Sequence, residues 1–417
     1  MTNDVRAALA RWHAAAVASV QGERVFRDHA RIIDGVFHFE RGDRRVALSL
    51  PPVGGRLRVI GLGKAALGMA RGFRSILQGA GRDVDDGLLI VRDPPSASDP
   101  HEPWRILQGD HPYPGEASVQ AAVRLLEFID EPRAEDRFVV LLSGGASALC
   151  ALPAPGVTLE QKRRETLAVM ASGASIAEIN RVRQRLSVIK GGRLAARLAP
   201  AQFATLAISD VPGDDPLVIG SAPTWSEDLA HHGGRYAVIA TLDDALDAAA
   251  TAARREGFEV VQLGRCLYGS VEDESTRMLQ EIVTLRHRDR PHPDGGAVVI
   301  IAGGEPLVIV RGAGRGGRAQ EFALRLGRAL DSQRETHPTE ISGLVAGTDG
   351  SDGPTSAAGA FFDGQTMTRV RAARLDAARL LEASDSGSAL AAIDDLFVTG
   401  PTGTNVADIL MVVIPGR

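Results

Sequence analysis

Short apolar runs, each bounded by glycine or polar residues, recur along the first half of the chain and predict buried strands. They occupy residues 56–62, 86–91, 104–109, 137–143 and 203–209. The run RFVVLLS (137–143) is apolar almost throughout, as in a parallel strand covered on both faces. Helices are predicted between the runs, among them SIAEINRVRQRLSVIK, which should end at Gly191 and Gly192. Such alternation predicts a doubly wound α/β sheet, which binds ligands at the carboxyl ends of its strands.

The same alternation restarts after the polar segment HHGGR (231–235), where we place a domain boundary. Two α/β domains are therefore predicted, residues 1–233 and residues 234–417. In the second domain, AVVIIAGG and PLVIVRG are predicted to pair as strands around Gly303–Pro306. One helix is predicted over residues 366–382, and LFVTG and ILMVVI are predicted as the last strands.

The N-terminal twenty residues predict an amphipathic helix, because Arg6, Arg11 and His13 interrupt the apolar positions at helical spacing. A secretory signal needs an uninterrupted apolar core. No apolar run approaches the roughly 18 residues of a membrane span. We therefore expect a cytoplasmic protein.

The charge balance narrows the classes of partner. Lysine and arginine total 47 against 52 acidic residues, a formal net charge of −5. No excess of positive charge is present to neutralise nucleic acid or an anionic membrane, so neither is expected as a partner. Cys150 and Cys266 are too few for a disulfide framework or a multi-cysteine metal site, and both are predicted to be buried free thiols.

Glycine is the compositional feature that points to a ligand. The chain has 46 glycines, many of them clustered at predicted strand ends in GLGKAALG, SGGAS, KGG, AGGE, RGAGRGG and GTDGSDG. Glycine loses the most backbone entropy when it is fixed in regular structure. Clusters at strand ends therefore indicate backbone that approaches a ligand, often an anion.

The GLGKAA segment lies where the first buried strand turns into a helix. Gly61, Gly63 and Ala66 fit the dinucleotide pattern G-x-G-x-x-G/A. Lys64 favours a different ligand, because an ammonium beside free backbone N–H groups suits a phosphate or carboxylate. A solvated lysine at the start of a helix is the alternative.

The SGGAS segment follows the strongest strand. Ser143, Gly144, Gly145, Ala146 and Ser147 would expose successive N–H groups in a nest for an anion. A nucleophile elbow around Ser147 is disfavoured, because the G-x-S-x-G spacing fails where the chain has leucine. A plain tight turn is the third interpretation.

The segment ISDVPGDDP places Asp210, Asp214 and Asp215 just after a strand. Such carboxylates could hold Mg²⁺, with Asp210 and Asp214 as the candidate ligands. Asp210 could instead accept a proton from a substrate hydroxyl. Turn formation alone would also explain this composition.

A second glycine-rich set lies in the predicted C-terminal domain. Arg315 and Arg318 precede or begin a helix, where a guanidinium can clamp a phosphate or carboxylate through two bonds. Asp349 and Asp352 resemble the start of an EF-hand loop, but Ala357 and Gly359 occupy later ligand positions.

Both predicted domains thus contain basic side chains, backbone nests for anions and carboxylates. This combination suits phosphoryl transfer better than hydride transfer.

The motifs as a set resemble the class II glycerate 2-kinases, the MOFRL family, some members of which are labelled hydroxypyruvate reductases. The resemblance runs from about residue 55 to the end, through GLGKAALGMA, HPYPGEAS, LLSGGASAL, KGGRLA, ISDVPGDDP, GGEP, GRGGRAQE, GTDGSDGPT and VTGPTGTNVAD. It implies an N-terminal Rossmann-like domain, a distinct C-terminal MOFRL-type domain and an active site in the cleft. It also implies Mg²⁺-dependent transfer of phosphate from ATP to the 2-hydroxyl of D-glycerate.

The resemblance also implies roles for individual residues. Lys64 matches the lysine at the first strand–helix turn and Arg318 the arginine of the G-G-R motif, and both would be catalytic, as would Asp210 of the S-D-V motif. The nucleotide- or substrate-binding residues implied by the resemblance are Gly63, Ser143, Gly144, Gly145, Ala146, Ser147, Lys190, Glu305, Asp349 and Asn405. The chain departs from the family pattern at Gly115, Ala146, Ala319 and Ser356.

An NAD(P)H-dependent hydroxypyruvate reductase is the rival function. It requires a ribose-binding acid about 20 residues after the glycines, and Asp93, the nearest strand-end candidate, comes late. The expected partners are D-glycerate and ATP, and the sequence leaves a homodimer open.

Overall fold

The computed structural model describes residues 1–95, 100–226, 232–287, 296–333 and 340–416. His231, in the predicted boundary segment, lies outside the described residues. The strands, in chain order, are β1 (Ala30–Ile33), β2 (Val36–Arg41), β3 (Arg44–Ser49), β4 (Leu57–Leu62), β5 (Asp86–Val91), β6 (Trp104–Gln108), β7 (Arg137–Leu142), β8 (Gln202–Ile208), β9 (Gly234–Ala240), β10 (Glu259–Leu267), β11 (Val298–Gly304), β12 (Ser342–Gly347), β13 (Gly359–Asp363), β14 (Leu396–Phe397) and β15 (Asp408–Ile414).

Helices fill most of the connections between these strands. In chain order they are α1 (Asn3–Val20), α2 (Gly22–His29), α3 (Ala66–Gly79), α4 (Glu116–Ile129), α5 (Ala146–Leu149), α6 (Leu159–Ala171), α7 (Ile176–Arg185), α8 (Arg193–Leu198), α9 (Leu242–Arg255), α10 (Val271–His287), α11 (Arg318–Ser332), α12 (Thr366–Ala372), α13 (Ala377–Glu382) and α14 (Ser386–Ala391). No described helix combines the length and the apolar character needed to cross a membrane.

The first compact unit, here called the parallel-sheet unit, comprises Val20–Thr241 and Gly403–Val406. Its main sheet has the order β6-β5-β4-β7-β8-β9, and all five neighbouring pairs are parallel. The strands β4 and β7 lie at its centre and are almost wholly buried, as their largely apolar sequences predict. A separate antiparallel sheet, β1-β2-β3, contains a hairpin formed by β2 and β3. The predicted doubly wound sheet is confirmed.

The second compact unit, the mixed-sheet unit, comprises Met1–Ser19, Leu242–Thr402 and Ala407–Arg417. Its sheet has the order β10-β11-β15-β12-β13-β14, in which only β10 and β11 pair in parallel. The last long strand, β15, therefore lies inside the sheet between β11 and β12. Its side chains are all buried, as its apolar sequence requires.

The predicted pairing of AVVIIAGG with PLVIVRG is wrong. The first segment forms β11, but its neighbours are β10 and β15. The second segment forms no strand, and Leu307, Ile309 and Val310 are more than half exposed. Because β15 occupies the place next to β11, an apolar composition alone does not make PLVIVRG a strand. Sequence analysis also missed β13 as a strand.

Two predicted helices are shorter than expected. The helix before Gly191 ends at Arg185, and the following residues form a buried turn in which Ser187 Oγ accepts from the N–H groups of Ile189 and Lys190. The helix predicted over residues 366–382 is broken into α12 and α13, and Arg374 between them has a φ of 59°.

The structure divides the chain differently from the predicted boundary after residue 233. The strand β9 pairs with β8 and so extends the parallel-sheet unit to Thr241. The N-terminal helix, predicted to begin the first domain, belongs to the mixed-sheet unit apart from its last residue. Its His13, which sequence analysis placed among the polar positions, is only 1% exposed.

Candidate functional site

The loop after β4 is fixed to the loop after β7 by backbone and side-chain hydrogen bonds. The Lys64 N–H donates to Gly144 O at 3.0 Å, and the Ala65 N–H donates to Ser143 Oγ at 3.0 Å. Gly63 has a φ of 125°, and a Cβ there would overlap the backbone and hydroxyl of Ser143. Only glycine fits this contact, so the spacing of GLGKAA is dictated by the neighbouring loop.

Gly144 makes room for an acid and an amide that come from two other motifs. Asn405 Nδ2 donates to Asp210 Oδ2 at 2.8 Å. A Cβ on Gly144 would lie 2.7 Å from Asn405 Nδ2 and would overlap the Asp210 carboxylate. Three of the predicted site residues are therefore in direct proximity, although more than 190 positions separate the last two in sequence.

Replacing Gly144 by alanine is expected to lower the free energy of unfolding by about 1–3 kcal/mol, because the new methyl group must displace the Asp210 carboxylate or Asn405. Chemical denaturation measures this change. Gly79→Ala at the end of α3 is the matched control, since no atom lies within 4 Å of a Cβ built there. Equal stability of the two variants would contradict the packing around Gly144.

Ser147 belongs to a hydrogen-bond chain and not to a nucleophile elbow. Lys190 Nζ donates to Ser147 O at 2.7 Å and also to Ser147 Oγ. Ser147 Oγ lies 3.0 Å from Ser221 Oγ, and Ser221 Oγ donates to Asn180 Oδ1 at 2.8 Å. Gly145, with a φ of 86°, turns the chain into α5 ahead of this network. Ala146, the first residue of that helix, is buried.

A cavity of about 390 Å³ adjoins this network within the parallel-sheet unit. Gly144, Gly145, Ser147, Lys190 and Asp210 line it, so it contains five of the predicted site residues. Further lining residues that sequence analysis missed come from α6 and α7, namely Lys162, Arg163, Thr166, Leu167, Met170, Asn180 and Arg183. Those helices have the polar sequences of ordinary surface helices, which give no signal of a cavity.

Positive charge is crowded around this cavity. Burial, together with nearby Arg183, lowers the pKa of Lys162 to about 8. Burial also lowers the pKa of Lys190 well below its ordinary value, and the charges of Lys162 and Arg183 act in the same direction. The cavity is thus arranged to favour an anion, because an anion would offset the cost of charging these lysines.

Arg318 is held between two carboxylates in the mixed-sheet unit. Its Nε donates to Asp408 Oδ2 at 2.6 Å, and its Nη1 donates to Glu305 Oε1. Burial disfavours the guanidinium charge, but Asp408 and Glu305 together raise the pKa of Arg318 above its ordinary value. The pKa of Asp408 is raised above its ordinary value, because the effect of burial exceeds the opposing effect of the Arg318 charge. Arg318 and Glu305 were predicted from their sequence motifs, whereas Asp408 was not predicted.

The carboxylate of Asp352, a residue in the loop after β12, lies against the N-terminus of α11. This carboxylate accepts from the N–H groups of Ala319 and Gln320 at 3.2 and 2.8 Å. Burial, followed by the charge of Asp408, raises the pKa of Asp352 to about 7. Asp349 lies nearby, because its Oδ1 is 3.4 Å and Asp408 Oδ1 is 3.3 Å from a Cβ built on Gly347.

The stability of the protein should depend on pH through Asp352. Its pKa in the folded state lies above the ordinary value of 3.8, so the folded state holds the proton more tightly and is stabilised at low pH. This contribution is complete below about pH 4 and is lost as the pH rises through about 7. The free energy of unfolding should therefore fall, relative to Asp352→Asn, by at most about 1.4 kcal/mol per pH unit in this window. Urea denaturation at a series of pH values measures the difference, and a constant difference would contradict the raised pKa.

Three further candidate residues, Asp214, Asp215 and Arg315, lie in turns and loops. Asp214 ends the short 3-10 turn Pro212–Asp214 after β8, and Asp215 Oδ1 accepts from the Leu217 N–H in a local turn. Arg315 is exposed. Within the described part of the chain, no group of three or more His, Cys, Asp or Glu side chains is placed to hold a metal ion. The predicted site residues thus form two sets, one in each unit.

Comparison with known proteins identifies the class to which this fold and these loops belong. The chain matches a domain of unknown function (DUF4147) over residues 8–252 and the MOFRL family over residues 298–408. A D-glycerate 2-kinase of Thermotoga maritima is 34% identical over 403 residues, covering 88% of this chain and 93% of that protein. An Agrobacterium vitis protein provisionally named hydroxypyruvate reductase is 38% identical over 396 residues, covering 86% of this chain and all of that protein.

A solved structure supports the same assignment. The crystal structure of a Thermotoga maritima glycerate kinase aligns with a TM-score of 0.79 and 30% identity, over 99% of this chain and 100% of that chain. The chain belongs to the MOFRL family of two-domain α/β proteins. The resemblance seen in the motifs and the fold class it implied are confirmed.

Proposed function

We propose that this protein transfers a phosphoryl group from ATP to the 2-hydroxyl of D-glycerate. Its relatives include a D-glycerate 2-kinase that matches nearly the whole chain. The observation that carries the choice of kinase over reductase is the contact between Gly63 and Ser143. In a dinucleotide fingerprint the second glycine lets the backbone approach a pyrophosphate. Here Ser143 occupies that space.

The acid that a dinucleotide site requires also fits poorly. The strand β5 ends at Val91, and the nearest acid, Asp93, has a side chain that is 61% exposed and paired with Arg92. A ribose-binding acid should instead face the glycine loop. The lysine in that loop and the cationic cavity beside it suit phosphate groups better than a nicotinamide.

The acidic residues fit a magnesium ion that arrives with the nucleotide. Mg²⁺ usually keeps several waters and is bound by one or two carboxylates plus substrate phosphates, so no preformed cluster is needed. Asp214, which follows β8, is the carboxylate that would hold it, so that Asp210 stays available as a proton acceptor. When bound, the ion would neutralise charge on the phosphate oxygens.

Each of the predicted catalytic residues would then have a separate role in the phosphoryl transfer. Lys64 neutralises the transferring phosphoryl group, and Arg318, oriented by Glu305 and Asp408, neutralises the carboxylate of glycerate. The 2-hydroxyl oxygen bonds to the γ-phosphorus as the bond from that phosphorus to the β–γ bridging oxygen breaks. The hydroxyl proton passes to Asp210, whose Oδ2 is oriented by Asn405. Positioning and charge neutralisation supply most of the rate in such reactions.

Two coupled assays on the purified protein separate the functions. In the first, ADP formation is followed with ATP, Mg²⁺ and D-glycerate. In the second, NADH and NADPH oxidation is followed with hydroxypyruvate. We expect turnover in the first assay alone. Oxidation of either nicotinamide nucleotide at a rate above that of ADP formation would overturn the proposal.

A further inference from the structure

The cavity of the parallel-sheet unit is lined by two chemically different sets of side chains, here called its apolar wall and its cationic wall. The apolar wall comprises Tyr113, Leu167 and Met170, all of which are exposed. The cationic wall comprises Lys162, Lys190 and Arg183. The two walls adjoin, since Arg183 Nη2 lies 3.8 Å from Met170 Sδ. A ligand that matches both walls carries an anionic group and an apolar group. A three-carbon acid is anionic but would leave most of the 390 Å³ empty.

The hydrogen-bond chain along the cavity ends in a donor. Lys190 donates to Ser147 Oγ, so the Ser147 hydroxyl can donate to Ser221 Oγ, and Ser221 donates to Asn180 Oδ1. This direction fixes the orientation of the Asn180 amide. Asn180 is 3% exposed, and among the described residues its Nδ2 has no hydrogen-bond acceptor. A buried donor without an acceptor is unfavourable, and a ligand oxygen would satisfy it.

The charges of the lining favour the same ligand. Four of the residues that line the cavity are cationic, and Asp210 is the single carboxylate among them. The chain contains only three lysines, Lys64, Lys162 and Lys190, and arginine supplies every other basic side chain. All three lysines lie in the parallel-sheet unit. A compact ammonium suits a phosphate oxygen as a point charge.

We propose that this cavity is the nucleotide site, with the phosphates on Lys162, Lys190, Arg183 and Asn180 and the base against Leu167, Met170 and Tyr113. The parallel-sheet unit therefore holds the ATP of the proposed reaction. This assignment rests on the proposed function for its choice of nucleotide. It is tested by binding alone, with ADP as the probe and without any turnover.

Two substitutions separate the two walls. Asn180→Asp keeps the acceptor for Ser221 and introduces a carboxylate beside the cations, so it should compete with a ligand anion. Leu167→Ser removes part of the apolar wall at a side chain that is 42% exposed, where folding should be unaffected. Ala168→Ser, at the exposed neighbouring position outside the cavity lining, is the matched control.

Isothermal titration calorimetry should show that ADP binds the wild type and the Ala168→Ser control equally. Asn180→Asp should weaken ADP binding by about tenfold or more, since a charge-assisted hydrogen bond is lost and repulsion is added. The same variant should lose binding of inorganic tripolyphosphate. Leu167→Ser should weaken ADP binding severalfold and leave tripolyphosphate binding unchanged, because that anion has no base. Melting temperatures of all variants establish that they are folded.

Several results would overturn this assignment. ADP binding that is equal in the wild type and Asn180→Asp would exclude the cationic wall as the phosphate site. An unchanged KM for ATP together with a raised KM for D-glycerate in Asn180→Asp would assign the cavity to the acid. If ADP binds as expected but D-glycerate is not phosphorylated, the nucleotide site stands and the proposed acceptor is wrong.

Discussion

Replacing Lys64 by alanine is expected to lower kcat for ATP-dependent phosphorylation of D-glycerate by about 10²–10³-fold. The side chain would supply a fixed positive charge where negative charge is redistributed in the transition state, and removing one such group has an effect of this size. The loop should survive the substitution, because its contacts to Gly144 and Ser143 use the backbone N–H groups of Lys64 and Ala65. Steady-state kinetics with both substrates saturating measures the loss.

The loss of activity is informative only if the Lys64→Ala variant remains folded. Lys64 is half-buried and its backbone contacts remain, so the melting temperature of Lys64→Ala should stay close to that of the wild type. Lys64→Arg should recover only part of the rate, because a planar guanidinium does not replace a compact ammonium. A folded alanine variant with near-normal kcat would remove Lys64 from the mechanism.

Replacing Arg318 by methionine should abolish most activity and also lower the free energy of unfolding by about 3 kcal/mol. The loss of stability follows from Asp408, which is only 4% exposed and would keep its charge without a partner. Breaking a buried ion pair from one side has a cost of this order. Thermal and urea denaturation measure it. The deficit should shrink as the pH falls, since protonation of Asp408 removes the unpaired charge.

A double substitution distinguishes the charge effect from a packing effect. Arg318→Met with Asp408→Asn should regain most of the lost stability, because no buried charge then remains, but it should not regain activity. Arg371→Met, which breaks an exposed ion pair with Asp331, should leave stability nearly unchanged. If the double variant is no more stable than Arg318→Met, the unpaired charge of Asp408 is not the cause of the lost stability.

The fold was largely predictable because its buried strands are apolar throughout. RFVVLLS and DGLLIV forecast β7 and β5 almost to the residue, since parallel strands covered on both faces leave no polar alternation to misread. The segment PLVIVRG is also mainly apolar, but it does not form a strand. The place beside β11 is taken by β15, which lies more than 100 residues later in the chain. The composition of a segment does not show that a strand distant in sequence will pair with the same neighbour.

The candidate site was predictable only where glycine marks it. The loops around Gly63 and Gly144 were found because close contacts exclude a Cβ there, and the sequence records that exclusion. Asn180 and Lys162 carry no such mark. Each lies on an ordinary-looking helix. Lys162 Nζ donates to Leu186 O, and Asn180 Oδ1 accepts from Ser221 Oγ, and the local sequence pattern specifies neither contact. Asp408 was missed for a similar reason, because its partner Arg318 is 90 positions away.

Phosphorus-31 NMR of the reaction products tests the proposed activity most directly. Purified protein is incubated with ATP, Mg²⁺ and D-glycerate, and the spectrum is recorded with proton coupling retained. We expect ADP together with a phosphate ester resonance that is split mainly by the single proton on C2, as in 2-phosphoglycerate. A resonance split by the two protons of C3, or intact ATP after long incubation with folded protein, would contradict the proposed phosphorylation of the 2-hydroxyl.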